Sequence, residues 1–293
     1  MKLEKLLRQF RIDDPGRFRL ASFDPADTGG LDLDKDEAKA MLRADLDRLS
    51  DLQERLYADD RWSLLIVLQA MDAAGKDGVI KHVMTGLNPQ GCLVHPFKAP
   101  TPHELDHDFL WRAAQYLPAR GNIGIFNRSH YEEVLVVRVH PEFLERQRIS
   151  PKLLGKDVWK KRFKSIRGFE RHLARNGTVV LKFFLHVSKE EQRRRFLDRL
   201  EQPAKRWKFS MGDIDERKLW DKYMSAYEDA IRATSRPHAP WYVVPADNKP
   251  FARLVVAKAM VEALEALDLK FPKVDPPALK EMEKVRKALL AEE

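Results

Sequence analysis

The sequence predicts one α/β domain with a central parallel β-sheet and helices on both faces. Five short apolar segments alternate along the 293-residue chain with segments of helical periodicity. This alternation is typical of right-handed strand–helix–strand crossovers, which build parallel sheets. Because no internal repeat, low-complexity tract or Gly/Ser linker divides the chain, we expect a single domain with helical extensions.

The predicted elements follow in chain order. Residues 1–60 form an N-terminal helical extension, in which a helix over 34–58 has apolar residues at spacings of three and four. The predicted strands cover 63–69, 92–97, 123–126, 178–185 and 241–245. Helical patterns separate them over 104–117, 158–174 and 190–200. The core covers 61–270, and residues 271–293 form a tail with a charged helix over 280–290.

Composition limits the classes of function. The chain has 53 Lys and Arg against 45 Asp and Glu, a net charge of +8. Such an excess is common where a protein binds nucleic acid, nucleotides, phosphates or a membrane surface, and also on an ordinary solvated surface. The single cysteine, Cys92, excludes an intramolecular disulfide and a cysteine-based zinc site. No apolar run reaches the ~18 residues of a membrane span, and the N-terminus lacks an apolar signal core. We expect a cytoplasmic protein without a membrane partner.

A phosphate-binding loop is predicted directly after the first strand. Residues 70–78 read Ala-Met-Asp-Ala-Ala-Gly-Lys-Asp-Gly and continue into a helical pattern. In a P-loop of this kind, backbone N–H groups and the helix N-terminus bind phosphate, and the lysine adds a charge. The match is imperfect, because Ala70 replaces the first glycine and Asp77 replaces the Ser or Thr that usually binds Mg²⁺. Asp72 can supply an oxygen ligand for the metal instead. The alternative to a phosphate-binding loop is a Gly-Lys pair that occurs here by chance, in which case Asp72 is a simple turn residue.

A second motif follows the third strand, Asn127-Arg128-Ser129-His130-Tyr131. In P-loop kinases, the strand beside the phosphate loop ends in an acidic Mg²⁺ ligand, and phosphate-binding groups come just after it. Arg128 is expected in the same crevice, where it can neutralise a transferring phosphoryl group. The alternative is a surface arginine. We interpret His130 as structural.

The positive charge concentrates between residues 160 and 208. One face of the predicted helix carries basic residues at spacings of 4, 3, 4 and 4: Lys160, Lys164, Arg167, Arg171 and Arg175. Like charges four residues apart cost stability, which favours a bound polyanion over a merely solvated face. A second basic block, 193–199 and 205–208, follows a capping box at 188–191. We expect it to form a lid over about 190–225.

Together these motifs resemble the polyphosphate kinase 2 family. The matching segments, in the family's order, are 71–76, 127–131, 193–196, 205–208 and 239–241, and the similarity spans residues 35–270. The resemblance implies a three-layer, thymidylate-kinase-like P-loop fold with a five-stranded sheet and a helical lid. It also implies reversible, Mg²⁺-dependent phosphoryl transfer between inorganic polyphosphate and nucleotides, with Mn²⁺ as an alternative metal. The sequence around Glu132-Glu133 is similar to the subgroup that accepts both AMP and ADP.

The resemblance also implies roles for individual residues. Asp72 and residue 127 would hold the metal, Arg128 would bridge donor and acceptor phosphates, and the lid arginines Arg194 and Arg195 would close on the transferring group. The phosphate chain would bind Ala73, Ala74, Gly75, Lys76, Asp77, Gly78, Lys81, Lys160, Lys164, Arg167, Arg171 and Lys208. The nucleotide would contact Lys98, Arg112, Arg128, Glu132 and Glu133. The partners would be adenine nucleotides, with guanine as an alternative base, and a second copy of the chain in a homo-dimer or homo-tetramer.

One residue departs from the family pattern. The family has Asp at position 127 as a second Mg²⁺ ligand, whereas this chain has Asn127. Natural divergence and a deliberate substitution both account for it. The loss of one negative charge predicts weaker metal binding and slower turnover, while nucleotide and polyphosphate still bind.

Two other functions remain alternatives. An ATP-dependent kinase of small molecules would not need a basic stripe 15 residues long. A non-catalytic module that binds polyanions, nucleic acid among them, would need the stripe but no turnover. Aromatic residues do not interleave with the stripe as stacking platforms, so we do not expect nucleic acid as a partner.

Overall fold

Five parallel strands form the central sheet of the structure, a computed structural model that describes residues 2–31 and 35–292. The strands are β1 (Ser63–Gln69), β2 (Cys92–Pro96), β3 (Ile123–Asn127), β4 (Thr178–His186) and β5 (Trp241–Pro245). They lie in the order β2-β3-β1-β4-β5, and each neighbouring pair is parallel. The sequence-based prediction of the sheet is confirmed, with strand ends shifted by at most one residue.

Helices connect the strands and cover the sheet. In chain order they are α1 (Lys2–Phe10), α2 (Lys35–Asp59), α3 (Lys76–Val83), α4 (Pro102–Leu105), α5 (Trp111–Ala114), α6 (Val136–Val139), α7 (Glu142–Glu145), α8 (Val158–Arg175), α9 (Lys189–Glu201), α10 (Met211–Lys218), α11 (Trp220–Thr234), α12 (Lys249–Glu265) and α13 (Pro276–Leu290). Short 3₁₀ segments cover Leu20–Ser22, Pro89–Gly91, His130–Val134, Pro151–Leu153 and Pro203–Lys208.

Burial of the strands explains the layered arrangement. All seven residues of β1 are buried, because β1 is central and covered on both faces, whereas β2 at the sheet edge is largely exposed. One layer of helices is built around α12, which packs on α2, α3, β4 and β5. A second layer contains α8 and α11, which contact each other, with α8 also packed on β4. Helix α1 packs on α12 and β5, so the N-terminal extension shares the core.

The strand order places the phosphate loop at a topological switch point. The chain leaves β1 towards β2 and β3 on one side and later returns to β4 and β5 on the other side. In open α/β sheets, ligands bind outside the carboxyl ends of the strands at such a point. Leu68 of β1 pairs in register with Asn127 of β3, so the segments that follow these two strands lie side by side.

Two predicted helices need correction. The helix predicted over 104–117 is wrong: the structure has the short helices α4 and α5, because the side chain of Asp108 accepts a hydrogen bond from the backbone N–H of Leu110 and forms a turn between them. The C-terminal helix begins at Pro276 rather than residue 280, since Asp275 caps it through the N–H of Ala278. Helix α2 matches the predicted 34–58 closely, although residue 34 lies outside the described residues.

The remaining helices agree with their patterns. Helices α8 and α9 match the predicted 158–174 and 190–200 to within one residue at each end. Helix α9, the 3₁₀ segment Pro203–Lys208, α10 and the start of α11 occupy the predicted lid range 190–225. Among the helices of the described residues, none combines the length and apolar character that a membrane crossing requires.

Candidate active site

The loop between β1 and α3 has the backbone of an anion-binding turn. Ala73 has φ 61° and Gly75 has φ 111°. The second value lies where side chains are strongly disfavoured, so a glycine is required there. Gly75 directly precedes α3, whose first N–H groups therefore face the cleft together with the positive end of the helix.

Lys76 is held inside this loop. Its ammonium group donates to the carbonyls of Ala70 at 2.9 Å and Met71 at 3.4 Å. Burial lowers the pKa of the amine, and the nearby carboxylate of Asp72 partly offsets that effect. A phosphate oxygen is a stronger partner for an ammonium group than a carbonyl, so Lys76 is positioned to turn towards an anion in the cleft.

Arg128 faces the phosphate loop from the end of β3. Its backbone has φ 62°, an uncommon conformation for a non-glycine residue and one that often marks a functional site. Its guanidinium group donates to Asp72 at 2.8 Å and lies 3.6 Å from a carboxylate oxygen of Glu132. Glu132 and Asp72 raise the pKa of Arg128, so this side chain stays cationic. The prediction that Arg128 lies in the crevice beside the loop is confirmed.

Asn127 contacts Asp77, the residue at the usual Ser/Thr position of the loop. The side-chain amide of Asn127 donates to Asp77 Oδ1 at 3.0 Å. Asp72, Asp77 and Asn127 line the same cleft and offer carboxylate and amide oxygens. Mg²⁺ prefers such ligands and commonly uses one or two carboxylates together with substrate phosphates and water. The residues present therefore fit a metal ion that is bound jointly by the protein and by the phosphates of a substrate. The part of the chain described contains no cluster of three or more His, Cys, Asp or Glu that could hold a metal ion by itself.

Arg195 fixes α9 to the phosphate loop. This buried guanidinium group donates at 2.6–3.1 Å to four backbone carbonyls, those of Ala73, Ala74, Ala246 and Asp247. It also donates to Glu191 at 2.6 Å. The side chain of Ser188 caps α9, as predicted, but the capping box is incomplete because the N–H of Ser188 donates to Asp247 and not to Glu191. The first turns of α9 therefore lie against the loop.

The cleft bounded by these groups has a volume of about 370 Å³. Seven cationic side chains line it: Lys76, Arg128, Arg195, Arg199, Lys205, Lys208 and Lys249. Three carboxylates line it as well, those of Asp72, Asp77 and Asp198. Burial and the neighbouring Arg195 lower the pKa of Lys249, as expected where positive charges lie close together. A polyanion is the ligand that this charge distribution favours.

Half of the twelve predicted phosphate-binding residues line the cleft, together with predicted catalytic and metal-binding residues. The cleft contains ten of the predicted residues: Asp72, Ala73, Gly75, Lys76, Asp77, Gly78, Asn127, Arg128, Arg195 and Lys208. Ala74 is buried beneath the loop, and its carbonyl accepts from Arg195. Lys81 is exposed further along α3 and does not line the cleft.

Arg194 is not in the cleft, contrary to the prediction for the lid arginines. It pairs with Glu191 and Asp198 on an exposed side of α9. Each residue of a helix turns by about 100°, so Arg194 and Arg195 cannot face the same way, whereas Arg199 lies one turn beyond Arg195 on the same face. Arg199 is therefore the second arginine of α9 in the cleft, where it lies 3.5 Å from Asp213.

The basic stripe of α8 is also outside the cleft. Lys160, Lys164 and Arg171 are exposed to solvent, and Arg167 donates to the carbonyl of Ala233. None of them lines the cleft, because α8 packs on β4 and α11 and not beside α9. A role of this stripe in guiding a polymer stays a prediction, and the cationic groups of the cleft come from other elements.

The residues predicted to bind a nucleotide divide into three places. Lys98 and Arg112 lie together beyond β2, where Arg112 donates to the carbonyl of Lys98 at 2.9 Å and stacks on Phe97. Glu132 lies beside Arg128, and burial raises its pKa although Arg128 opposes the effect. Glu133 lies apart from both places, because successive residues of the 3₁₀ turn point in different directions, and its contact with a nucleotide stays a prediction. It is buried in an ion pair with Arg162 at 3.1 Å.

A buried polar network supports the segment that follows Arg128. Lys182 donates to Glu170 at 2.7 Å, to the hydroxyl of Tyr131 at 3.0 Å and to the carbonyl of Thr234 at 2.9 Å. The hydroxyl of Tyr131 donates to Glu170 at 2.7 Å. Burial lowers the pKa of Lys182 to about 8, although Glu170 opposes the effect. His130 is buried beside this network and does not line the cleft, as the structural interpretation predicted.

Sequence reasoning missed several residues of the cleft. Arg199 and Lys205 stand in the basic block that was recognised, but nothing in their spacing distinguished them from their neighbours. Lys249 follows the last strand at the start of α12, and that position was the available signal, because loops after parallel strands meet at one edge of the sheet. Gln192 was missed as well; it donates to the carbonyl of Asp72 at 2.9 Å.

Comparison with known proteins places the chain in a family. The sequence profile of the family described as polyphosphate kinase 2 matches residues 32–272. This chain belongs to the polyphosphate kinase 2 family. The family resemblance drawn from the motifs is confirmed, and the matched range is close to the predicted 35–270.

Members of this family resemble the chain over nearly its whole length. The ADP-polyphosphate phosphotransferase of Rhodopseudomonas palustris is 49% identical over 284 residues, covering 97% of this chain and 98% of the relative. The AMP/ADP-polyphosphate phosphotransferase of Meiothermus ruber is 49% identical over 266 residues, covering 91% and 96%. The crystal structure of polyphosphate kinase 2 from Arthrobacter aurescens TC1 superimposes with a TM-score of 0.86 at 40% identity and covers 97% of this chain and 96% of that one. The predicted three-layer P-loop kinase fold is thereby confirmed.

Proposed function

We propose that this protein transfers phosphoryl groups reversibly between inorganic polyphosphate and adenine nucleotides, converting AMP to ADP and ADP to ATP. The observation that carries the proposal is the cleft where Lys76 and Arg128 meet five further cationic side chains. A single terminal phosphate would need few of these charges, whereas a linear phosphate chain carries negative charge along its length. The names of the two relatives above support both nucleotides as acceptors.

The donor chain would lie between the phosphate loop and the basic side chains of the lid. Its terminal phosphoryl group would rest on the N–H groups at the start of α3 and on Lys76. The rest of the chain would extend past Arg199, Lys205, Lys208 and Lys249, which line the cleft beyond the loop. Closure of α9 and the segments up to residue 225 would then exclude water from the transfer.

The acceptor nucleotide would approach from the other side of Arg128. One oxygen of its terminal phosphate attacks the terminal phosphorus of the polyphosphate, and the bond from that phosphorus to the bridging oxygen breaks. A polyphosphate shorter by one unit leaves with the electron pair. The attacking oxygen is already ionised at neutral pH, so no general base is required. Arg128 contacts Asp72 of the phosphate loop and lies near Glu132, and it would neutralise charge in the transition state between donor and acceptor.

Asp72, Asp77 and Asn127, the last through its side-chain amide oxygen, are the residues that would hold Mg²⁺, with Mn²⁺ as an alternative. When bound, the metal supplies positive charge to the phosphate oxygens. Asp72 already accepts a hydrogen bond from Arg128, so a metal held by Asp72 would lie close to the guanidinium group that would bridge donor and acceptor. With one carboxylate fewer than the family pattern, we expect a higher metal requirement in this chain.

The test is nucleotide conversion with defined donors. AMP and ADP are incubated separately with polyphosphate and Mg²⁺, and the products are separated by chromatography. ATP formed from ADP only when polyphosphate and metal are both present supports the proposal. Transfer from ATP to a small molecule, without use of polyphosphate, would favour the small-molecule kinase. Tight binding of polyphosphate or RNA without any nucleotide conversion would favour the non-catalytic module.

A matched pair of variants connects the activity to the cleft. Lys76→Met removes the buried loop charge and is expected to abolish conversion. Lys273→Met makes the same chemical change at an exposed position between α12 and α13, away from the lid, and is expected to leave conversion intact. Equal activity of the two variants would contradict the assignment of the site.

A further inference from the structure

Helix α13 carries an apolar face that the described chain leaves uncovered. None of its residues is buried. Leu279, Met282, Val285 and Leu289 are each more than half exposed, with exposed fractions of 53–59%. Of the sixteen large hydrophobic side chains exposed among the described residues, five lie on this one 15-residue helix. Contiguous exposed apolar surface of this kind marks an interaction site.

The spacing of the apolar residues is that of a coiled-coil seam. Ala278, Met282, Val285 and Leu289 follow one another at intervals of 4, 3 and 4 residues. In a heptad they occupy alternating d and a positions, which form the contact line between two helices. The seam therefore fits another helix with the same repeat.

Charges beside the seam select the orientation of the partner. In this register Glu281 occupies a g position and Arg286 the following e position. A g residue faces the e residue five positions later on a parallel partner helix, so two parallel copies of α13 would form two Glu–Arg pairs. On its own helix, each of the two residues makes only an exposed ion pair, Glu281 with Lys284 and Arg286 with Glu283. Such pairs contribute little and can exchange partners.

We propose that α13 pairs in parallel with α13 of a second copy of this chain. Both the seam and the flanking charges are self-complementary, so no other partner is required to explain them. The helix is about 22 Å long at ~1.5 Å per residue, which is short for a coiled coil. The association is therefore weak by itself, and its extent depends on protein concentration.

Disulfide trapping tests the proposal in the full-length chain. Val285→Cys and Lys284→Cys are compared in a Cys92→Ser background under mild oxidation. In a parallel pair, both copies of residue 285 meet on the seam, whereas residue 284 points outwards. Val285→Cys is expected to give a disulfide-linked dimer on a non-reducing gel, and Lys284→Cys is expected to stay a single chain.

Other outcomes would overturn the proposal. In an antiparallel pair, residue 285 faces Met282 of the partner, and the two copies of residue 285 lie too far apart for a disulfide, which needs Cα atoms within ~7 Å. Absence of the Val285→Cys dimer therefore contradicts the parallel pair. Equal cross-linking of both variants would indicate random collision and would contradict it too.

Charge exchange gives an independent readout. Glu281→Arg and Arg286→Glu each place like charges across the parallel interface, whereas the double variant restores opposite pairs. Sedimentation of the full chain is expected to show a lower average mass for each single variant and recovery in the double variant. A mass that is the same for all four proteins would refute the pairing. Since no residue of α13 is buried, these variants should keep the stability and nucleotide conversion of the parent chain.

Discussion

Asn127→Asp is the substitution that bears most directly on the metal site. In the structure the amide nitrogen of Asn127 donates to Asp77 Oδ1 at 3.0 Å. The substitution puts a carboxylate oxygen in place of that donor. A hydrogen bond is thereby exchanged for a contact between two negative charges, unless a cation lies between them.

The distance sets the size of the effect. Two unit charges 3 Å apart repel by ~1.4 kcal/mol in water and by ~5.5 kcal/mol at an effective dielectric constant of ~20. Asp77 is exposed and Asn127 is half-buried, so the lower part of this range applies. We expect the metal-free variant to be less stable by about 1–2 kcal/mol, a decrease of roughly 2–8 °C in Tm. Bound Mg²⁺ reverses the sign, because both carboxylates then attract the same cation.

Thermal unfolding with increasing Mg²⁺ and a rate assay of ATP formation measure the two halves of this prediction. Without metal, Asn127→Asp should have a lower Tm than the parent chain. Its Tm should reach half of the Mg²⁺-induced increase at about one tenth of the Mg²⁺ concentration that the parent chain needs, which corresponds to ~1.4 kcal/mol. With metal, it should form ATP faster than the parent chain. Asn176→Asp, the same change at an exposed residue at the end of α8, serves as the control and should leave the Mg²⁺ response unchanged. No change in Mg²⁺ response and no gain in rate would refute the metal-binding role of position 127.

Two further predictions concern buried charges. The ammonium form of Lys76 is the one expected to bind phosphate, and burial holds its pKa below the usual 10.5. The kcat/KM for polyphosphate should therefore fall as the pH rises through that lowered pKa, and Lys76→Arg should flatten the pH profile. Parallel pH profiles of the two proteins would contradict this. Glu170→Gln leaves Lys182 buried without its counter-ion and should lower the free energy of unfolding, measured by urea denaturation, by about 3–5 kcal/mol. The double variant Glu170→Gln with Lys182→Met should recover much of this loss. Equal losses in the single and double variants would mean that the ion pair is not the cause.

Local sequence patterns were sufficient to predict the parts of the site whose residues are close together in the chain. The apolar strand β1, the loop that ends at Gly75 and the start of α3 at Lys76 follow one another directly in the chain, so their geometry follows from neighbouring residues. Arg128 was placed correctly for a related reason: it follows a strand that lies beside β1, and both strands end at the same edge of the sheet.

Helical periodicity had a specific limit. The spacing of Lys160, Lys164 and Arg171 shows that they share a face of α8, but it cannot show what that face meets. In the fold they face solvent, and none of them lines the cleft. The position of Arg194 outside the cleft has a related cause. Which arginine of α9 faces the cleft depends on the rotation of the helix, which Arg195 fixes through distant carbonyls. Tertiary contacts of this kind are not encoded in the spacing of one helix.

The location of the phosphate chain can be measured directly with two charge-matched double variants. Lys205→Ala with Lys208→Ala removes two charges that line the cleft, and Lys160→Ala with Lys164→Ala removes two from the exposed stripe of α8. The KM for polyphosphate and its dependence on salt are determined for each. The cleft variant should raise the KM at least tenfold, a loss of ~1.4 kcal/mol, and weaken the salt dependence, while the α8 variant stays close to the parent chain. The reverse result would place the polymer on α8 and contradict the site proposed here.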